Sequence, residues 1–410
     1  MPERMSHNVV RMTGRDPHES GRAATPLELL FDLTFVIAFG TAAGELAHFL
    51  AAGYVWEGVL GFAFAIFAVS WAWINFAWFA SAYDTDDWLY RLTTMVQMVG
   101  VLILALGLPQ MFESLHEGDH VDNGVMVLGY IVMRVPMILQ WWRASRQDPE
   151  RTAVCRTFIV TLVISQAGWI VLALAPTSIP VTFVLIVLLI LIEATGPLVA
   201  ERMMAGTPWH PHHIAERYGL LVIIALGEGL IGTVATLSAI IGEEGWTVDV
   251  AALGIAGVGV TFGMWWTYFT LPGGDLLHAH RERSFAWGYG HIPVFGALVA
   301  VGAGLHAAAY RLEEQSALSD TETVLTVVVP LAAYVGLLYA LYALLTRTFD
   351  PFHLLLVLGS AAVLAVGVAM VAAGASLTWS LLVVALTPWV TVVGYETIGH
   401  RHNEDVLSSL

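Results

Sequence analysis

Apolar runs long enough to cross a bilayer recur from one end of this sequence to the other, and no other feature limits the fold so strongly. A membrane-spanning helix takes about 20 consecutive, mostly apolar residues. Such runs fall near 26–50, 57–80, up to 108, 122–142, 155–175, 180–200, 213–241, 248–271, 284–309, 321–346, 351–374 and 377–398. In lipid, each backbone N–H and C=O must find its partner within the segment, so each run is expected to be helical. The chain reads as an all-α integral membrane protein of about 12 transmembrane helices. Only 12% of its residues are charged, against about 25% in an average soluble domain.

Against this apolar background, a few charges stand out. The first run opens with Thr25-Pro26-Leu27-Glu28-Leu29-Leu30-Phe31-Asp32. Thr25 suits the helix cap, Pro26 the first turn, and Glu28 the reciprocal capping position three residues on. Glu28 and Asp32 are four apart and share a helix face. Carboxylates at that depth are expected to face protein, water or a partner rather than lipid. A related stretch returns at His213–Gly229: an acidic first turn at Glu216, then an apolar run into Gly227. The recurrence suggests two parallel six-helix repeats, 25–205 and 206–400. Residues 1–24 read as a disordered cytoplasmic N-terminal tail and 401–410 as a cytoplasmic C-terminal tail.

Arginine placement sets the expected orientation. All 17 basic residues are arginine. With the N-terminus inside, the cytoplasmic segments hold Arg4 to Arg22, Arg143, Arg146, Arg151, Arg156, Arg202, Arg281, Arg283, Arg347 and Arg401. Only Arg311 lies outside, and Arg134 falls within the membrane. This bias predicts both termini in the cytoplasm of a multi-pass protein of the bacterial plasma (inner) membrane. No basic stripe suggests nucleic acid. No phosphate loop, nucleophile elbow or HExxH motif points to enzyme chemistry. No cofactor is implied. The expected partner is the lipid bilayer, with a small molecule or ion as substrate; oligomeric state stays open, a homodimer included.

The candidate sites follow from buried charge. One stripe of the seventh helix carries His213, Arg217 and Glu228, and Arg217 is the obvious partner of Glu28 and Asp32. These groups can form a proton or ion site, or a structural ion pair. Gly227, Gly229 and Gly232 allow close helix approach or a local break. Arg134 and Glu193 are single charges expected to pair with each other or with Glu228. His291 can titrate near neutral pH or be simply hydrogen-bonded. His210, His212, His213, His278 and His280 match no zinc spacing and read as a solvated cluster. Asp84, Asp86 and Asp87 read as caps of the third helix and partners of Arg91. Gly40 and Gly44 form a GxxxG pair that favours close helix contact. The aromatics from Trp71 to Phe79 suggest an interfacial belt.

Three stretches, Pro26–Val36, Tyr83–Asp87 and His213–Glu228, resemble the bacterial low temperature requirement protein A (LtrA) family over nearly the whole chain. The resemblance implies an integral membrane protein of a family named for a growth phenotype, and assigns no substrate. Phe31-Asp32-Leu33 also resembles, with its serine missing, the first-helix signature of a cation-channel family built from six-helix repeats. The functional expectation is a transporter-like protein with a charged cavity between helices 1 and 7, built from Glu28, Asp32, Arg217 and Glu228, with protons as the coupling ion. The alternatives are a cation channel with a pore lined by those helices, and a non-transporting scaffold or stress-response protein whose buried charges are all paired.

Overall fold

A computed structural model describes residues 9–203, 206–347 and 350–401. Twelve stretches among them are long and apolar enough to cross a membrane. The α-helices are α1 (Pro26–Ala51), α2 (Val55–Tyr83), α3 (Trp88–Glu117), α4 (Gly124–Gln147), α5 (Thr152–Leu174), α6 (Ile179–Met203) and α7 (Pro211–Glu244). They continue with α8 (Val248–Phe269), α9 (Gly273–Ala279), α10 (Ser284–Leu312), α11 (Asp320–Thr346), α12 (Pro351–Ala372), α13 (Leu377–Val384) and α14 (Thr387–Gly394). The chain is thus a multi-pass membrane protein. It divides into two compact units. One comprises the described residues up to Thr41 together with Ala68–Arg217. The other comprises Ala42–Phe67 and the described residues from Tyr218 on. The boundaries fall inside α1, α2 and α7.

In the first unit α3 lies on α4, α4 on α5 and α5 on α6. Glycine permits the closest of these approaches. A Cβ on Gly129 would sit 2.5 Å from the Leu104 nitrogen, and one on Gly100 would sit 2.7 Å from the Gly129 oxygen. Helix α3 runs past Pro109 and ends where Gly118, at φ +84°, takes the left-handed conformation of a C-cap. Asp87 caps its start by accepting from the Tyr90 N–H at 2.9 Å, and Asp86 pairs with Arg91 at 2.6 Å. Trp71, Trp73, Phe76 and Phe79 are buried. They form core rather than the expected interfacial belt, because Phe76 stacks on Phe31 and Phe79 packs edge-on against Trp141.

The N-terminal segment also departs from expectation. Residues 9–24 are not a free tail: backbone N–H groups of Val10, Met12 and Gly14 donate to Asp87, Gln147 and Asp148, and Arg15 N–H donates to the Ala82 carbonyl. Met12 is fully buried. Arg143 bridges Asp87 and the Val10 carbonyl. Asp87 is held below the usual carboxylate range: burial alone would raise it, and the hydrogen bonds from Arg143, Tyr90 and Val10 outweigh burial. Residues 1–8 and 402–410, which the tails were expected to include, lie outside the described residues.

In the second unit α10 lies on α11, α11 on α12, and α8 on α13 and α14. The last span is broken between α13 and α14, where Pro388 lies in the first turn and cannot donate a backbone hydrogen bond. Gly44 is not at a close contact, since a Cβ there would meet no described atom within 4 Å.

Candidate functional site

The first turn of α1 has the predicted reciprocal cap: Thr25 N–H donates to Glu28 Oε2 at 2.7 Å, and Glu28 N–H donates to Thr25 Oγ1 at 3.3 Å. The cap fixes the Glu28 side chain, and Asp32 follows one turn later. Arg217, in the second turn of α7, reaches both. Its Nε and Nη2 donate to the two Asp32 oxygens at 3.0 and 2.6 Å, and its Nη1 donates to Glu28 Oε1 at 2.8 Å. The planar fork of arginine suits this two-pronged grip, which lysine cannot make. Trp73 Nε1–H donates to Asp32 Oδ1 at 2.6 Å. The Arg217 guanidinium lies 5.7 Å from the centre of the Trp73 ring and 5.8 Å from that of Phe76. Glu28 and Arg217 are fully buried and Asp32 is 1% exposed.

Other groups extend this network. His213 Nε2 lies 3.2 Å from Glu28 Oε1. Its backbone N–H donates to His210 Nδ1, and His210 Nε2 lies 3.0 Å from the Glu19 carbonyl. Burial holds His210 below the ordinary histidine range. The expected solvated histidine cluster is therefore in part buried, because His210 and His213 are used inside. Arg22 is 3.9 Å from Glu28 and 3.7 Å from Asp84. Burial, and next the charge of Glu28, push the Asp84 carboxyl up to about 6. Asp84 sits in the turn between α2 and α3, outside the spanning segments. Three buried carboxylates, Glu28, Asp32 and Asp84, therefore face two buried guanidinium groups, Arg217 and Arg22; Glu19, 3.8 Å from Arg22, is partly exposed and pairs with Arg15 at 2.6 Å. Counted with the carboxylates ionised and His213 neutral, the group carries one negative charge in excess.

The remaining predicted residues fall elsewhere. Arg134 and Glu193 pair with each other at 3.3 Å, both buried. Glu216 is exposed and accepts from the Ala24 N–H at 3.2 Å. In the second unit His291 is buried and uses both ring nitrogens: Nδ1 lies 2.7 Å from the Trp287 carbonyl oxygen, and Nε2 lies 3.0 Å from the Tyr268 hydroxyl. This is the hydrogen-bonded option for His291. Glu228, also in the second unit, is 3% exposed. Helix α7 is continuous through Gly227, Gly229 and Gly232.

Sequence reasoning missed the parts of Arg22, Trp73 and Asp84 in the network. Arg22 looked like an orientation charge, Trp73 like a belt residue and Asp84 like a cap. No spacing signal links them to Glu28. Among the described residues, no group of three or more His, Cys, Asp or Glu side chains is placed to hold a metal ion.

Comparison with known proteins adds a lineage. The model of the family described as bacterial low temperature requirement A protein (LtrA) matches residues 23–388. The chain is also similar to an uncharacterized protein of Rhizobium meliloti (strain 1021), 27% identical over 317 residues that cover 73% of each chain. No solved structure matches.

Proposed function

The chain belongs to the bacterial low temperature requirement A family, and from that premise we propose that it is a transporter-like protein of the plasma membrane that uses protons as its coupling ion. The observation that carries this reading is the charge count of the buried network: three carboxylates against two arginines. A buried group one charge from neutrality is stabilised by taking up one proton. Asp84, pushed up to about 6 and lying in the turn just after α2, is the member of the group to which the proton is assigned, although its side chain is itself buried. Glu28 and His213 are positioned to feel the change. The expected arrangement is two parallel six-helix repeats with both termini in the cytoplasm, supported by the arginine bias.

One observation favours a second reading. Asp32 has both oxygens on the Arg217 fork, and Arg134 Nη2 donates to the two Glu193 oxygens at 3.3 and 3.4 Å. Closed pairs of this kind suit a non-transporting membrane protein in which the charges only lock helices together.

Flux of protons and potassium into liposomes under an imposed pH gradient separates the two. Wild type should carry electrogenic flux that Asp32→Asn loses and that His213→Gln, which keeps a donor toward Glu28, reduces less. Saturation would mark a carrier; its absence would mark a channel. Wild-type flux no greater than that of empty liposomes would favour the structural lock.

A further inference from the structure

Glu228 differs from the other intramembrane carboxylates described above. Glu28 and Asp32 each meet Arg217, and Glu193 meets Arg134. Glu228 Oε1 is buried and has no hydrogen-bond partner among the described residues. At about 1.5 Å per residue it lies roughly 26 Å from the start of α7, far from either end of that helix. A bare carboxylate there is expensive, whereas the neutral acid is tolerated far better.

Close helix approaches surround Glu228. Gly302 of α10 abuts the Glu228 backbone so closely that a Cβ on it would lie 2.5 Å from the Glu228 carbonyl carbon. One turn on, Gly232 meets the Gly302 oxygen in the same way, and Thr236 Oγ1–H donates to the Leu305 carbonyl at 2.7 Å. On the other side, Gly229 abuts Thr261 of α8, whose hydroxyl donates to the Gly257 carbonyl. The nearby hydroxyl protons of Thr233, Thr236 and Thr261 are thus committed to backbone carbonyls.

The titratable groups of the neighbouring helices are engaged or placed elsewhere, and Arg311, in the last turn of α10, pairs with Asp320 at 2.7 Å. On α10, His291 is bonded to Trp287 and Tyr268, and His306 stacks on Tyr310. On α8, Tyr268 is bonded to His291 and Asp249 lies in the first turn. A Cβ on Gly227, the preceding residue, would meet nothing within 4 Å.

We propose that Glu228 is a proton-binding site of the second unit, held as a neutral acid in the seam between α7, α8 and α10 and exchanging its proton without a basic partner. The site stands on its own residues and does not depend on the network around Arg217.

Infrared difference spectroscopy of the full-length protein in lipid nanodiscs, taken across a pH step, tests the site without any transport assay. Wild type should show the carbonyl stretch of a protonated carboxyl that shifts in heavy water. Glu228→Gln, an isostere of the neutral acid, should fold and lose that band. Glu228→Asp should keep it at a displaced frequency. Wild-type and Glu228→Gln spectra that superimpose in the carboxyl region would overturn the proposal. If Glu228→Gln failed to fold, an undisplaced band in Glu228→Asp would overturn it equally.

Discussion

Arg217 is the residue on which the first unit most depends, because it satisfies two buried carboxylates at once. Breaking a buried ion pair by removing one partner costs about 3–5 kcal/mol. Arg217→Ala is therefore expected to lower the unfolding midpoint of detergent-solubilised protein sharply, and Arg217→Lys to recover only part of it, because lysine keeps the charge but loses the fork. Thermal unfolding of the three proteins checks this. Asp84 gives a pH signature. Its folded value, about 6, lies above the unfolded 3.8, so its contribution to stability is fully present below 3.8 and is lost as pH rises through 6. Asp84→Asn should flatten the stability profile between those values and leave the protein more stable than wild type above them. Asp87 works in the opposite sense: its value is lowered, so its contribution is lost as pH falls. The sequence exposed Glu28, Asp32 and Arg217 because charge in an apolar run is conspicuous. It hid Trp73 and Asp84, whose roles depend on where α2 packs, which no local pattern records.

Among the elements, closely packed helix pairs depend on glycine. Gly129 lets α4 come onto α3, and Gly302 lets α10 come onto α7. In both, an added methyl would sit 2.5 Å from backbone atoms that cannot rotate away. Gly129→Ala and Gly302→Ala are each expected to destabilise by about 1–3 kcal/mol through overpacking. Gly44→Ala, which meets nothing, should be neutral; unfolding midpoints would show the contrast. Glycine identity alone did not separate these cases. Gly44 belongs to a GxxxG pair and has no close contact, whereas Gly129 belongs to no motif that was singled out. The short α9 falls in none of the apolar runs and was not legible; the long helices were, because lipid enforces them. Helix ends were less so: α3 continues beyond Pro109 to Glu117, and the last span breaks before Pro388. A proline ends a helix only where neither packing nor a later cap carries it on.

At the scale of the whole molecule, the described residues contain twelve candidate spans, an even number. If all cross, both termini face the same side. In a Cys155→Ser background, single cysteines at Ser20→Cys and His400→Cys should react with an impermeant maleimide from one side of the membrane, and Trp246→Cys, between α7 and α8, from the other. Composition and arginine bias made the membrane class and the expected sidedness readable. The two compact units were not readable, since their boundaries fall inside α1, α2 and α7 where the apolar pattern runs on without a break. The central claim, that the buried network couples protons to transport, is tested most directly by proton flux into liposomes measured across external pH for wild type and Asp84→Asn. The account predicts wild-type flux that changes through a pH of about 6, with that inflection lost in a folded Asp84→Asn. Flux absent from wild type, or an inflection unchanged in the variant, would contradict it.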